Sequence, residues 1–171
     1  EACDFIDFLQ ETKQKVWQIL PLGPTGYGNS PYQSFSVFAG NILLISLIRL
    51  VEEGLIREED LSGMPKLPVG KIDYDLVLKG KTALLKKAHV VFLKQYQSWE
   101  EPYLAFLDEH AWWLDDYCLF RAIKNEDETR CWNEWEDRLK HRDRETLDAV
   151  SRKHREEMDF HRFVQFIFYR Q

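Results

Sequence analysis

Between Pro21 and Asn41 the chain reads PLGPTGYGNSPYQSFSVFAGN, and no regular element can span it. Pro21, Pro24 and Pro31 remove backbone donors and fix φ, while Gly23, Gly26, Gly28 and Gly40 favour sharp turns. A loop of that length is functional or disordered, and the density of Tyr27, Tyr32, Phe35 and Phe38 argues against disorder. Whatever fold the chain adopts must therefore carry a long, ordered loop near its start.

The flanking segments set the fold class. Residues 1 to about 14 have the apolar spacing of an amphipathic helix, through Ala2, Phe5, Ile6 and Leu9. The short apolar run Val16 to Leu20, closed by Pro21, reads as a buried strand that empties into the loop. After the loop, Leu43, Leu44, Leu47, Ile48 and Val51 predict a helix ending at Gly54, a C-terminal cap. A polar stretch with Pro65 and Pro68 leads to further helices over about 73–97, 102–124 and 143–171, with a charged break at 125–129. The expected fold class is α/β, mostly helical, with Val16–Leu20 as the one confident strand, so most of any sheet must lie elsewhere. Two regions are expected, residues 1–55 carrying the strand and loop and residues 56–171 mainly helical.

Composition narrows the function. The 171 residues carry a formal charge of −6, with 29 acidic against 23 basic side chains, so no basic face offers itself to nucleic acid. The longest apolar run, Ile42 to Val51, is broken by Ser46 and Arg49 and falls well short of the roughly 20 residues a bilayer span needs. Cys3, Cys118 and Cys131 are odd in number and far apart, with no CxxC. They read as reduced thiols of a cytoplasmic protein, with neither a disulfide framework nor a metal site. The chain opens on Glu1 inside a helical pattern and closes on the apolar face Phe160, Phe163, Val164, Ile167 and Phe168 without a stop signal, so it reads as part of a longer polypeptide.

The loop chemistry suits a sugar. Saccharide rings present CH faces that pack on aromatic rings and hydroxyls that need amide or hydroxyl partners, and Asn29, Ser30, Tyr32, Gln33 and Ser34 offer both within six residues. It is not a phosphate loop, since no Lys lies between Val16 and Lys66 and no GK[ST] occurs. A proline-rich surface turn with buried aromatics fits the same composition, which leaves both readings open.

The wording of the segment is more specific. WQILPLGPTGYGNSPYQSFSVFAGN closely resembles the N-terminal signature of the 4-α-glucanotransferases, the amylomaltases or disproportionating enzymes. EACDFIDFLQ, KIDYDLVLKGKTALLKKA, HAWWLDDYCLFRAIK, CWNEWEDRL and FVQFIFYRQ follow in the family's order, so the resemblance covers the whole chain. Two departures are Ile42 and Glu136, where most relatives have Pro.

The resemblance implies the N-terminal portion of a partial (β/α)8 barrel with inserted helical subdomains, whose remainder would be this chain's own partner. It implies transfer of α-1,4-glucan segments between maltooligosaccharide or starch-like chains, with retention and without a cofactor. Retention needs two carboxyl groups roughly 5 to 5.5 Å apart. In the family these lie on later segments, so no catalytic residue is assigned here and the stretch alone is expected to be inactive. Asp73 with Asp75, and Asp115 with Asp116, read as solvated or capping groups. By resemblance Tyr32 packs against the sugar at the bond that breaks, with Ser30 and Gln33 on the same cleft wall. Tyr27 either touches glucan farther away or buttresses the loop. Trp112 and Trp113 read as helix anchors, Trp132 and Trp135 as structural with glucan contact the alternative, and the five histidines carry no assigned chemistry. The rival readings are a non-catalytic glucan-binding module and a helical interaction protein with a vestigial loop.

Overall fold

The structure, a computed structural model, describes residues 2–126 and 130–171, with the backbone alone at Tyr27. In chain order the helices are α1 (Ala2–Glu11), α2 (Leu47–Glu52), α3 (Tyr74–Lys94), α4 (Tyr96–Glu126), α5 (Asp137–Lys140), α6 (Arg144–Lys153) and α7 (Arg155–Arg170). Short 3-10 turns lie at Tyr27–Asn29, Ile42–Leu44, Glu58–Gly63 and Trp132–Glu134. Among the described residues no helix is long and apolar enough to cross a membrane.

The helix ends follow from local chemistry. Asp73 caps α3 by accepting the Leu76 N–H at 3.0 Å, and Asp143 caps α6 through the Thr146 N–H at 3.0 Å. At the end of α2, Gly54 takes φ +70° while the Leu55 N–H reaches the Leu50 carbonyl and the Gly54 N–H the Val51 carbonyl, both at 2.9 Å. This paired closure needs a left-handed residue, which glycine adopts without a Cβ penalty, and the buried Leu50 and Leu55 complete it. The run expected over 143–171 is instead two helices, because His154 leaves helical geometry at φ −103°, ψ 17°. Pro102 lies inside α4 rather than at its start. The N–H it lacks is tolerated because Tyr103 and Phe106, in the next turn, are anchored in the core.

The core is built where α3, α4 and α7 meet. Phe106 against Tyr169 and Asp115 against Arg162 fix α4 and α7 as antiparallel, while His89 against Phe160 and Phe92 against Phe166 show α3 running in the same direction as α7. Phe92, 1% exposed, sits at the junction, its ring centroid 4.9 Å from Phe163 and 5.1 Å from Tyr103. Leu50, Leu55, Leu85, Leu114 and Ile167 are buried in the same core. Lys81 of α3 donates to the carbonyls of Ile45 at 2.7 Å and Leu43 at 2.5 Å, holding the turn that follows the long loop. Burial pushes its ammonium pKa down.

One expectation is corrected. The described residues contain no strand and no sheet, only an isolated antiparallel bridge between Thr25 and Ser34, so the chain is helical rather than α/β or a partial barrel. Val16–Leu20 has no regular structure. A strand exists only when its N–H and C=O groups find a ladder partner, and nothing among the described residues supplies one. The apolar run that suggested burial is instead open to solvent, Val16 at 85% and Leu20 at 58% exposure.

Candidate functional site: a buttressed aromatic loop

The loop is closed in three stages. At its base the Asn41 N–H donates to the Leu22 carbonyl at 2.9 Å, while the Asn41 side chain accepts the Leu43 N–H and so starts the next turn. In the middle, the Phe35 N–H reaches the Pro24 carbonyl at 3.1 Å and the Ser34 hydroxyl donates to the Ser36 carbonyl at 2.6 Å. At the tip, the Gly26 N–H donates to the Gln33 carbonyl at 2.8 Å and the Gln33 N–H to the Ser30 carbonyl at 3.1 Å. Ser30-Pro31-Tyr32-Gln33 is therefore a β-turn with proline at its second position, where a fixed φ is favoured. Tyr32 projects from it, 76% exposed and without a ring partner among the described residues.

Three of the four residues expected to meet substrate are thus brought together. Ser30 is half-buried, with its oxygen 3.4 Å from the Tyr32 N–H, and Gln33 is exposed while its backbone closes the turn. Tyr27 lies in the neighbouring 3-10 turn, and its side chain is outside what the structure describes. Two surface cavities, of about 520 Å³ beside α1 and about 730 Å³ between α3, α4 and α7, are lined by none of these residues.

What holds the loop is mostly α7. Gln165, 2% exposed, accepts the Gly40 N–H on Oε1 at 2.7 Å and returns its Nε2 to the Gly40 carbonyl at 3.1 Å. Gln171 treats Ser46 the same way, accepting its N–H at 2.6 Å and donating to its carbonyl at 3.2 Å. The Tyr169 hydroxyl donates to the Phe38 carbonyl at 2.6 Å, and partial burial raises its pKa, so it stays protonated at neutral pH. From α4, Trp112 meets Phe38 edge-on at 4.4 Å and Phe120 meets Phe35 at 5.8 Å, with the Arg121 guanidinium over the Phe35 ring. None of these supports was assigned from sequence. The available signal was Gln165 standing within the otherwise apolar run Phe163 to Ile167.

The other singled-out residues sort by packing. Trp113 is buried against Tyr117 as an anchor, whereas Trp112 is largely exposed and braces the loop. Trp135 packs on Phe120 and Trp132 is exposed. Asp115 and Asp116 hold surface ion pairs with Arg162 and Arg142. No three His, Cys, Asp or Glu residues lie together as metal ligands among the described residues.

His161 has a consequence for stability. Its burial, with the cations Arg121 and Lys86 nearby, pushes its pKa down to about 3, and these outweigh Glu157 at 3.6 Å. Its Nε2 accepts from Asn125 Nδ2 at 3.2 Å, which requires the neutral ring. The unfolded chain takes up a proton near pH 6.5 that the folded chain refuses, so stability falls as pH drops from about 6.5 toward 3. Urea midpoints at pH 7 and pH 5 should show this loss, and His161→Gln should reduce it. His89, also pushed down by burial, keeps part of the slope.

Comparison with known proteins decides the family. The family model described as 4-alpha-glucanotransferase matches residues 1–171. The chain belongs to the 4-alpha-glucanotransferase family. It is 45% identical to the 4-alpha-glucanotransferase of Thermus thermophilus and 40% identical to that of Synechocystis, over 100% and 99% of its own length. Among solved structures it resembles an amylomaltase from Streptococcus agalactiae in complex with acarbose, with a TM-score of 0.87, 37% identity and 99% of this chain covered. The chain spans about a third of the length of these relatives, 34% in each case.

Proposed function

We propose that this chain is the N-terminal, substrate-holding portion of a cytoplasmic 4-α-glucanotransferase that moves α-1,4-glucan segments between maltooligosaccharide or starch-like chains with retention. The single observation that carries the substrate role is the Ser30–Gln33 turn, which presents Tyr32 outward on a loop that is otherwise tied down. An exposed aromatic ring on a fixed turn is a platform for a sugar face, and the acarbose held by the Streptococcus agalactiae amylomaltase supports a saccharide as the occupant.

In this reading Tyr32 packs on the ring whose glycosidic bond breaks. Ser30 and Gln33 offer a hydroxyl and an amide to its hydroxyl edge, and Tyr27 stands beside them. Residues 1–55 carry the loop and residues 56–171 supply the helices that hold it. A fixed hydrophobic platform raises the rate to the extent that it favours the flattened, oxocarbenium-like ring over the ground state, and it keeps water from the intermediate. The carboxylates that make and break bonds come from polypeptide beyond these residues.

The test is Tyr32→Ala in an active glucanotransferase containing this chain, with glucose release from maltotriose as the readout. A fall in kcat/KM of about tenfold or more, roughly 1.4 kcal/mol of transition-state binding, is expected. Unchanged kcat/KM would remove Tyr32 from the site.

A further inference from the structure

Gln165 and Tyr169 lie on α7 and Gln171 caps its end, and they reach the backbone at Gly40, at Phe38 and, just past the loop, at Ser46, none of which belongs to the turn that presents Tyr32. We propose that Gln165 and Tyr169 are positioning residues for glucan transfer, setting the place of Tyr32 through the hydrogen-bonded backbone of the loop. This rests on the reading above that Tyr32 meets a sugar.

The Gln165 side chain is buried, where an unsatisfied polar group would be costly. Both halves of its amide are used by one residue, Gly40, whose N–H and C=O belong to the peptide groups on either side of its Cα, so the side chain pairs with the loop as another backbone would. A methionine would fill the same volume without desolvating an amide. What glutamine adds is direction, because both bonds are satisfied together only when the two peptide groups flanking Gly40 face the amide. Tyr169 fixes the carbonyl two residues earlier.

The effect has a continuous route to the tip. Asn41, next to Gly40, closes on Leu22, so the grip sets both ends of the loop together. From there Pro24 pairs with Phe35, Gly26 with Gln33 and Ser30 with Gln33, one rung after another up to the turn bearing Tyr32. The bonds from Gln165 and Tyr169 are the directional joints between this ladder and α7, while Trp112 and Phe120 of α4 pack on Phe38 and Phe35 without fixing a direction, so releasing the bonds lets the ladder shift against those rings.

The experiment measures kcat and KM for maltotriose disproportionation in an active glucanotransferase containing this chain, for Tyr169→Phe, Gln165→Met, Tyr32→Ala and the doubles with Tyr32→Ala. Tyr169→Phe should lower kcat about fivefold, the size of one hydrogen bond at about 1 kcal/mol, and Gln165→Met, which removes two, by at least as much, each with KM within about twofold. In the Tyr32→Ala background the same substitutions should cost almost nothing further, because their effect passes through that ring. A merely structural role predicts instead the same fractional loss in both backgrounds, and that result overturns the proposal. So does unchanged kcat in Tyr169→Phe, which loses one hydroxyl on a half-exposed ring and carries the test should Gln165→Met not fold. Should Tyr32→Ala itself leave transfer unchanged, the substrate role of the loop fails. A Tyr32→Ala loss with multiplicative doubles overturns the positioning role alone.

Discussion

Phe92→Ala should lower the stability of the chain by about 3 to 5 kcal/mol, a large part of the roughly 5 to 15 kcal/mol that holds an ordinary domain folded. The ring is 1% exposed and meets Trp99, Tyr103, Phe163 and Phe166, residues from both of the other core helices. Removing it opens a void that no single helix can close, because each wall belongs to a different element. The cost therefore combines lost transfer energy with a cavity that stays open. Urea denaturation measures it, with Val90→Ala on the exposed side of the same helix as the control, expected within about 0.5 kcal/mol of the parent. Equal effects at the two positions would mean that α3 does not face the core as described.

Gly40→Ala is expected to cost about 2 to 3 kcal/mol, in the range of overpacking a filled interior. A Cβ there would fall 2.0 Å from Cδ1 of Phe168, and its three nearest atoms all belong to that ring. The φ of Gly40 is not in the left-handed region, so the cost is one of space alone. Glycine-to-alanine changes without a clash usually stabilise by about 0.4 to 1 kcal/mol through the unfolded chain, so the sign of the measured change tests the contact directly. Thermal or urea unfolding should show the loss, and Phe168→Leu placed on top should recover part of it. A neutral or stabilising Gly40→Ala would mean that the loop base does not lie against α7.

The long loop, the cap at Gly54 and the cap at Asp73 were all legible in the sequence, because each depends on the conformational habits of one or two residues. The strand at Val16–Leu20 was misread for a definite reason. Five apolar residues in a row describe a surface that would be buried in the right company, and secondary structure of that kind exists only with a partner. The division at His154 has no signal in the sequence because no Gly or Pro stands between Val150 and Met158 to mark a helix end. Ser30, Tyr32 and Gln33 could be singled out because the turn chemistry and the wording of the loop lie in one stretch. The residues that fix the loop in space could not, since Gln165 and Gly40 are 125 positions apart and nothing in either neighbourhood names the other.

Gln165 lies on α7 and Gln171 caps its end six residues later, and the residues they hold, Gly40 and Ser46, are six apart on a segment with only the short turn at Ile42–Leu44. The helical rise sets the two residues' backbones about 9 Å apart along the axis, so α7 with its cap works as a ruler against which the outgoing limb of the loop is measured. Adding or deleting a residue between Gly40 and Ser46 would let only one mark align. Length variation should therefore be tolerated toward the tip, near Gly28, and rejected in those six residues.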